Sequence, residues 1–295
     1  MSGINSKYKA VVYIILSAFC FAVMNLFVRL SGDLPAYEKS FFRNFVAVFF
    51  ALGVMLRKKQ RFSWSKGSLK YLLLRASLGT VGILCNFYAL GQIPLSDASI
   101  LNKMSPFFVI IFSLIILKEN LTLFQGSAVL IAFIGCLFVI KPTFQSFDII
   151  PYAIAFSGGM CAGFAYTMVR ILGKRGVNGS VIVLFFSGFS CLAMIPLMLI
   201  SFRPMEWQQL LILLGAGLAA AGGQFSITAA YTHAPAREIS VYDYSQIIFA
   251  TALGFVFLGE VPDIYSVAGY VIICSMAVLM FFYNKRRYDS ESRHK

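Results

Sequence analysis

Apolar runs of about 20 residues, the length that crosses a bilayer as a helix, alternate with short polar segments along nearly the whole chain. The pattern predicts ten helices, with approximate bounds 9–30, 36–56, 68–91, 95–117, 122–140, 149–171, 179–201, 208–232, 236–258 and 263–283. The connections between them are too short to contain a soluble domain. We therefore expect an all-α polytopic membrane protein with ten transmembrane helices.

Composition supports this fold class, because 59% of the 295 residues are hydrophobic, only 13% are charged, and the mean hydropathy is +0.79. The first apolar run is too long for the hydrophobic region of a signal peptide, so we interpret it as a retained helix. Each of the six cysteines stands alone in an apolar run, which predicts neither a disulfide framework nor a metal site.

A net charge of +13 could indicate a nucleic-acid partner, but most of the positive charge lies in short loops and therefore predicts topology instead. The outer loops would hold little beyond Lys141 and Arg203. We expect a plasma-membrane protein with both termini in the cytoplasm and no nucleic-acid partner. The cytoplasmic side then receives the tail after residue 283 and Lys7, Lys9, Arg57, Lys58, Lys59, Arg61, Lys66, Lys70, Lys118, Lys174, Arg175 and Arg237.

Two stretches of equal length share one plan: PLSDASILNKMSPFFVIIFSLIILKE begins at Pro94, and PAREISVYDYSQIIFATALGFVFLGE begins 141 residues later (235 − 94) at Pro235. The same offset relates other pairs of residues along the chain, namely Arg29 and Arg170, Gly82 and Gly223, Ala89 and Ala230, Ser99 and Ser240, and Glu119 and Glu260. Because each copy would hold five helices, an odd number, the second copy enters the membrane from the opposite side.

The sequence thus predicts two inverted five-helix repeats, residues 9–140 (helices 1–5) and residues 149–283 (helices 6–10), followed by a basic cytoplasmic tail at 284–295. With P-x-x-x-A-S at the start of helix 4 and L-x-E at the ends of helices 4 and 9, this arrangement resembles the drug/metabolite transporter superfamily, EamA type. The resemblance implies a central cavity lined by helices 1–4 and 6–9, with helices 5 and 10 peripheral. Phe41, Phe42 and Arg43 resemble a branch that includes bacterial S-adenosylmethionine uptake carriers.

Charged residues inside apolar helices are the first candidates for a site, because such residues normally face protein or a wet cavity. Arg43 lies roughly 10 Å along helix 2 at 1.5 Å per residue, and its planar guanidinium suits a carboxylate or phosphate. The alternative is an internal ion pair with Glu38 or Asp97. In helix 4, Lys103 either faces the cavity, beside a kink that Pro106 would impose, or extends outward along its stem.

Asp243 in helix 9 is the first candidate for proton coupling, since intramembrane carboxylates act as proton relays. The alternative is a salt bridge to Lys103 or Arg43 that holds the repeats together. Glu38 and Glu238, near helix ends, are further coupling candidates. The remaining candidates for substrate binding are polar or aromatic: Asn25, Asn86, Tyr88, Asn102, Tyr166, Gln224, Tyr242, Tyr244 and Gln246. We expect Arg75 to anchor the cytoplasmic interface and Glu119 to hydrogen-bond the start of helix 5.

These features favour a secondary carrier that moves a small organic metabolite by alternating access, with a zwitterionic or carboxylate-bearing solute and protons as the candidate coupling ion. Uptake of a nucleoside-like solute such as S-adenosylmethionine is the alternative that the branch resemblance suggests. A membrane-embedded enzyme or a channel is disfavoured, because neither a catalytic or metal-ligating cluster nor a filter loop is visible. We expect no catalytic residue, no metal and no cofactor; the solute and the lipid bilayer are the expected partners.

Overall fold

A computed structural model describes residues 2–90, 92, 101–140, 149–259 and 261–293 of the chain, and within these ranges the regular structure is helical. Ten helices follow one another in the described ranges. Their bounds are α1 Ser2–Leu30, α2 Ala36–Arg57, α3 Leu69–Leu90, α4 Ser105–Leu117, α5 Leu123–Ile140, α6 Ile149–Lys174, α7 Gly179–Ser201, α8 Trp207–His233, α9 in two parts, α9a Ala236–Ile239 and α9b Ser245–Leu258, and α10 Ile264–Arg293.

Eight of the described helical segments are long and apolar enough to cross a membrane, with α9a and α9b counted as one segment over Ala236–Leu258. The two remaining helices, α4 and α5, are shorter but apolar. Most bounds agree with the predicted helices within a few residues. α10 continues to Arg293, beyond the predicted end at 283, because the Lys, Arg and Glu residues that follow are good helix formers.

Helix 4 differs more from its prediction, since α4 begins at Ser105 and not at 95. Residues 93–100 lie outside the described residues, and so do Asp97 and Ser99 of the first repeated stretch and Glu260 at the end of the second. Among the described residues before α4, residues 101–102 are helical and residues 103–104 form a turn. Pro106 therefore occupies the first turn of α4, where its missing N–H is not needed.

A corresponding break interrupts the second half. Residues Ser240–Tyr244 form a 3-10 segment between α9a and α9b. Side chains bind carbonyl groups within this segment: Ser245 Oγ donates to the Tyr242 carbonyl at 2.7 Å, and Lys103 Nζ donates to the Asp243 carbonyl at 3.3 Å. A proline is therefore not required for such a break, because polar side chains can replace the helical hydrogen bonds.

The two halves of the chain are interlocked, because the most extensive helix pairs each join one half to the other. α1 packs on α8 and α9b, α3 packs on α6 and α7, and α2 packs on α7 and α8. α4 packs on α6, and α5 packs mainly on α10. The polar centre of the molecule therefore lies between the halves and belongs to neither alone.

Small residues bring α4 and α6 into backbone contact. A Cβ added at Gly163 would lie 2.5 Å from Phe108 Cβ and 2.9 Å from the Ser105 carbonyl oxygen. At Gly159 it would lie 2.6 Å from the Leu101 carbonyl oxygen. Such spacing is typical of membrane helices that associate through glycine faces. The contact fixes the depth at which Asn102 and Lys103 enter the bundle.

We predict that Gly163→Ala lowers the thermal stability of the detergent-purified protein, because overpacking against fixed backbone costs about 1–3 kcal/mol. Gly188→Ala is the matched control, since a Cβ at Gly188 in α7 meets nothing within 4 Å. Melting temperatures of the two variants and the parent protein check this. Equal melting temperatures for both variants would contradict the close α4–α6 contact.

Candidate functional site

A polar cavity of about 130 Å³ lies between the two halves, many times the roughly 10–15 Å³ that one buried water requires. Helices from both halves line it, and its polar lining consists mainly of amides and charged groups. The polar lining residues are Asn25, Arg43, Arg75, Asn86, Asn102, Lys103, Ser105, Tyr166, Gln224, Asp243 and Gln246. Nine of the eleven were candidates from the sequence; Arg75 and Ser105 were not.

An ion pair between Lys103 and Asp243 joins the halves at this cavity. Lys103 Nζ lies 3.1 Å from Asp243 Oδ2 and also donates to Gln246 Oε1 at 2.7 Å. Both ion-pair residues are buried, at 8% and 7% exposure. Lys103 therefore points inward, and its outward extension along the membrane is excluded. The break at Ser240–Tyr244 places both the carboxylate and the backbone carbonyl of Asp243 within its reach.

Arg43 of α2 is buried at 8% exposure, and its Nε and Nη1 atoms have no hydrogen-bond partner. The ring of Phe21 lies 5.9 Å from the guanidinium carbon and supplies a weak cation–π contact. Glu38, proposed from the sequence as an ion-pair partner, instead accepts a 2.7 Å hydrogen bond from the backbone N–H of Arg203. Within the described part of the chain, Arg43 therefore has no ion-pair partner.

Arg75 of α3 was expected to anchor the membrane interface, but it is only 2% exposed and lines the cavity. Its guanidinium carbon lies 4.0 Å from the ring centroid of Phe186 and 5.7 Å from that of Tyr166. Gly79, one turn further along the same helix face, leaves the space that the guanidinium occupies, because a Cβ there would overlap Arg75 Nη1 and lie 2.8 Å from Phe186. The Arg75–Gly79 spacing is the sequence signal that could have identified this residue.

Tyr166 of α6 lines the cavity beside Arg75, whose guanidinium carbon lies 5.7 Å from the centroid of the Tyr166 ring. Its ring stacks on that of Tyr231, with centroids 5.2 Å apart and an interplanar angle of 18°. A stacked pair has little freedom to rotate, so the position of the Tyr166 ring beside the cavity is well defined. Tyr166 is the residue that matches Asn25 at the offset of 141, and both lie on the cavity wall.

Five of the candidates from the sequence lie outside the cavity lining. Tyr88 is 45% exposed on α3, whereas Tyr242 and Tyr244 are buried, with Tyr244 packed beside the ring of Phe133. Glu38 is fully buried, and its carboxylate accepts the hydrogen bond from the Arg203 N–H in the segment before α8. Glu238 is buried in α9a, where its carbonyl accepts a hydrogen bond from Asn284 of α10 at 3.4 Å.

Glu119 does not cap α5 as expected. Thr122 and Gln125 form that cap, with the Thr122 N–H donating to Gln125 Oε1 and the Gln125 N–H donating to Thr122 Oγ1, both at 3.3 Å. Glu119 Oε1 instead accepts bonds from Lys174 Nζ at 2.9 Å and Arg170 Nε at 3.3 Å. The carboxylate is thus used to connect the end of α4 to the end of α6.

Helices of membrane-spanning length around a buried, charged cavity define a class of polytopic membrane proteins with an internal polar site. Comparison with known proteins identifies the class more closely. The EamA-like transporter family matches the chain twice, over residues 8–141 and 149–282. The chain therefore belongs to this family and is a multi-pass membrane transporter of the drug/metabolite superfamily, not an enzyme.

Named relatives and a solved structure agree with this assignment. The pseudopaline exporter CntI of Pseudomonas aeruginosa (strain UCBPP-PA14) is 35% identical over 268 residues, which cover 90% of this chain and 93% of the relative. Human solute carrier family 35 member G1 is 27% identical over 281 residues, covering 90% of this chain and 77% of the relative. A crystal structure that is 15% identical has the same fold, with a TM-score of 0.83 over 95% of this chain and 99% of that chain.

We predict that Lys103→Met and Asp243→Asn each lower the stability of the protein by about 3–5 kcal/mol, because each removes one partner of a buried ion pair. The double variant should lose much less than the sum, since it leaves no uncompensated charge. Thermal unfolding in one detergent checks this, with Lys66→Met on the exposed loop after α2 as the matched control. Additive losses in the double variant would show that the two side chains do not interact.

Proposed function

We propose that the chain is a secondary transporter that moves a small organic metabolite, zwitterionic or carboxylate-bearing, by alternating access across the plasma membrane. The observation that carries the proposal is the cavity between the halves, where the buried guanidinium of Arg43 has N–H groups without partners. Buried donors of this kind require an acceptor, and a carboxylate matches the planar geometry of arginine.

The exchange between two access states is supported by the repeat. The two family matches start 141 residues apart (149 − 8), the same offset that the sequence pattern has. Helix contacts also follow the repeat: α1 with α8 corresponds to α6 with α3, and α1 with α9b corresponds to α6 with α4. Two inverted halves that can exchange conformations give inward-open and outward-open states around one site.

The proposed boundaries are a first repeat over residues 9–140, a second over 149–283, and a basic tail over 284–295. The distribution of Lys and Arg supports cytoplasmic termini. The relative from Pseudomonas is named an exporter, which favours transport out of the cell for this chain as well. The broken helix at Ser240–Tyr244 supports a site at mid-membrane, because discontinuous helices form the binding sites of many secondary transporters.

Counterflow tests the proposal directly. We expect proteoliposomes preloaded with an unlabelled amino acid or organic acid to take up the same labelled solute faster than protein-free liposomes for at least one solute of the set. Arg43→Gln should lower this rate by about ten- to a hundred-fold, because it removes charged hydrogen bonds to the solute. Arg61→Gln, the same substitution on an exposed loop, should leave the rate unchanged.

Substitution of Asp243 provides a second test, which concerns the coupling of solute transport to proton movement. If its carboxylate carries the coupling proton, Asp243→Asn abolishes transport driven by a pH gradient but preserves counterflow, in which no net proton movement is needed. The retained counterflow also shows that the variant is folded. Gradient-driven transport at the parental rate in Asp243→Asn would remove Asp243 from the coupling step.

A further inference from the structure

We infer that the cavity selects a solute that carries two carboxylates, and that Arg75 binds one of them while Arg43 binds the other. The inference rests on the proposed function and defines its substrate class more narrowly. It excludes a neutral zwitterion as the preferred solute. It also assigns a binding role to Arg75, which the sequence pattern had placed at the membrane interface.

Charge balance in the cavity is the first argument. Among the described residues, its lining contains three cations, Arg43, Arg75 and Lys103, and one carboxylate, Asp243. That carboxylate is bound to Lys103 at 3.1 Å. Two positive charges therefore remain without an anionic partner on the described cavity wall. A solute with two negative charges would balance them.

The hydrogen-bonding state of the two arginines is the second argument. Both are more than nine-tenths buried, and the Nε atoms of both lack partners, as does Nη1 of Arg43. The aromatic rings beside them, Phe21 and Phe186, attract a cation but accept no strong hydrogen bond. Leaving such buried donors without an acceptor is costly.

The shape of the guanidinium group decides between the candidate solutes. Its planar fork binds a carboxylate through two parallel hydrogen bonds, so two arginines suit two carboxylates. A zwitterion brings one carboxylate and one ammonium group, so it would still leave two cations without an anionic partner, namely one arginine and its own ammonium. The amides of Asn25, Asn86 and Gln224 line the same cavity and can bind hydroxyl or amino groups on the rest of the solute.

Neighbouring residues hold the Arg75 side chain in place on α3. Gly79 leaves room for its guanidinium, and the ring of Phe186 covers the other side at 4.0 Å. A side chain held between a glycine and an aromatic ring keeps one orientation. Arg75 is therefore preorganised for binding, which reduces the entropy that is lost when a solute is held.

The first experiment compares binding of succinate with binding of succinamate, its monoamide, to the full-length protein in detergent at one ionic strength. Glutamate and glutamine form a second matched pair, and methyl phosphate represents a single dianionic group. Isothermal titration and thermal shift give the affinities. We expect each dicarboxylate to bind about ten- to a hundred-fold more tightly than its monoamide, the range that charged hydrogen bonds supply.

Substitutions identify the residues. In Arg75→Gln the preference for the dicarboxylate over the monoamide should fall to about one-fold, because the second carboxylate loses its partner. Arg75→Lys should keep part of the preference, since it keeps the charge but loses the planar fork. Arg61→Gln is the control and should change neither affinity.

The stability of the ligand-free protein separates binding from a structural role. Because Arg75 has no ion-pair partner on the described cavity wall, Arg75→Gln should leave the melting temperature unchanged or raise it. A decrease comparable to that of Lys103→Met would assign Arg75 to the structure and overturn the inference. The melting temperature therefore distinguishes a binding role of Arg75 from a structural role even if none of the solutes binds in detergent.

A charge-neutral substitution provides an independent test of position. Gly79→Ala should displace the Arg75 guanidinium and reduce the dicarboxylate preference while the charge of the cavity stays the same. Gly53→Ala is the matched control, because a Cβ at Gly53 meets nothing within 4 Å. An unchanged preference in Gly79→Ala would contradict binding by a preorganised Arg75.

The outcomes distinguish this inference from the proposed function. Tighter binding of glutamine than glutamate, with counterflow of glutamine, overturns the dicarboxylate assignment but leaves the transporter proposal in place. Binding of methyl phosphate without binding of the dicarboxylates also overturns it, because both arginines would then hold one group. Absence of counterflow for every solute in intact proteoliposomes would instead count against the proposed function.

Discussion

The structure depends most on the constraint that charge inside a membrane must be balanced. Lys103 and Asp243 balance each other's charge. Because they come from different halves, their contact connects the two halves at the centre of the bundle. The helix breaks before α4 and before α9b belong to the same constraint. The first break contains Lys103 itself, and the second places the carbonyl and carboxylate oxygens of Asp243 where its ammonium group needs acceptors.

The arginines satisfy the constraint in a different way. Arg43 and Arg75 are buried beside aromatic rings, and the Nε atom of each has no hydrogen-bond partner. A transporter site has to bind its solute only transiently, so part of its charge balance must come from the solute itself. The ion pair of Lys103 and Asp243 thus stabilises the framework, whereas the two arginines remain available for binding.

The positions of the helices followed from the lengths of the apolar runs, since the requirement of a spanning length leaves little freedom. Nine of the candidate residues line the cavity for a related reason: a polar side chain in an apolar helix has few other places to go. The cavity position of Arg75 was not predicted, because the depth of a residue along a helix does not show which face of the helix it occupies. Gly79, one turn further on the same face, indicates the face on which there is room for the guanidinium. The break at Ser240–Tyr244 was missed because it depends on acceptors for Lys103, which lies 140 residues away.

The pairing of helices across the halves also has a consequence for biosynthesis. α1, α2, α3 and α4 find their main packing partners in the second half, and Asp243 is synthesised 140 residues after Lys103. At about 5–20 residues per second, the first half waits roughly 7–28 s in the bilayer with its lysine unpaired. During this interval the nascent chain must be held by the insertion machinery or by bound water and lipid headgroups. Assembly of this protein is therefore completed only after its last helices have been inserted.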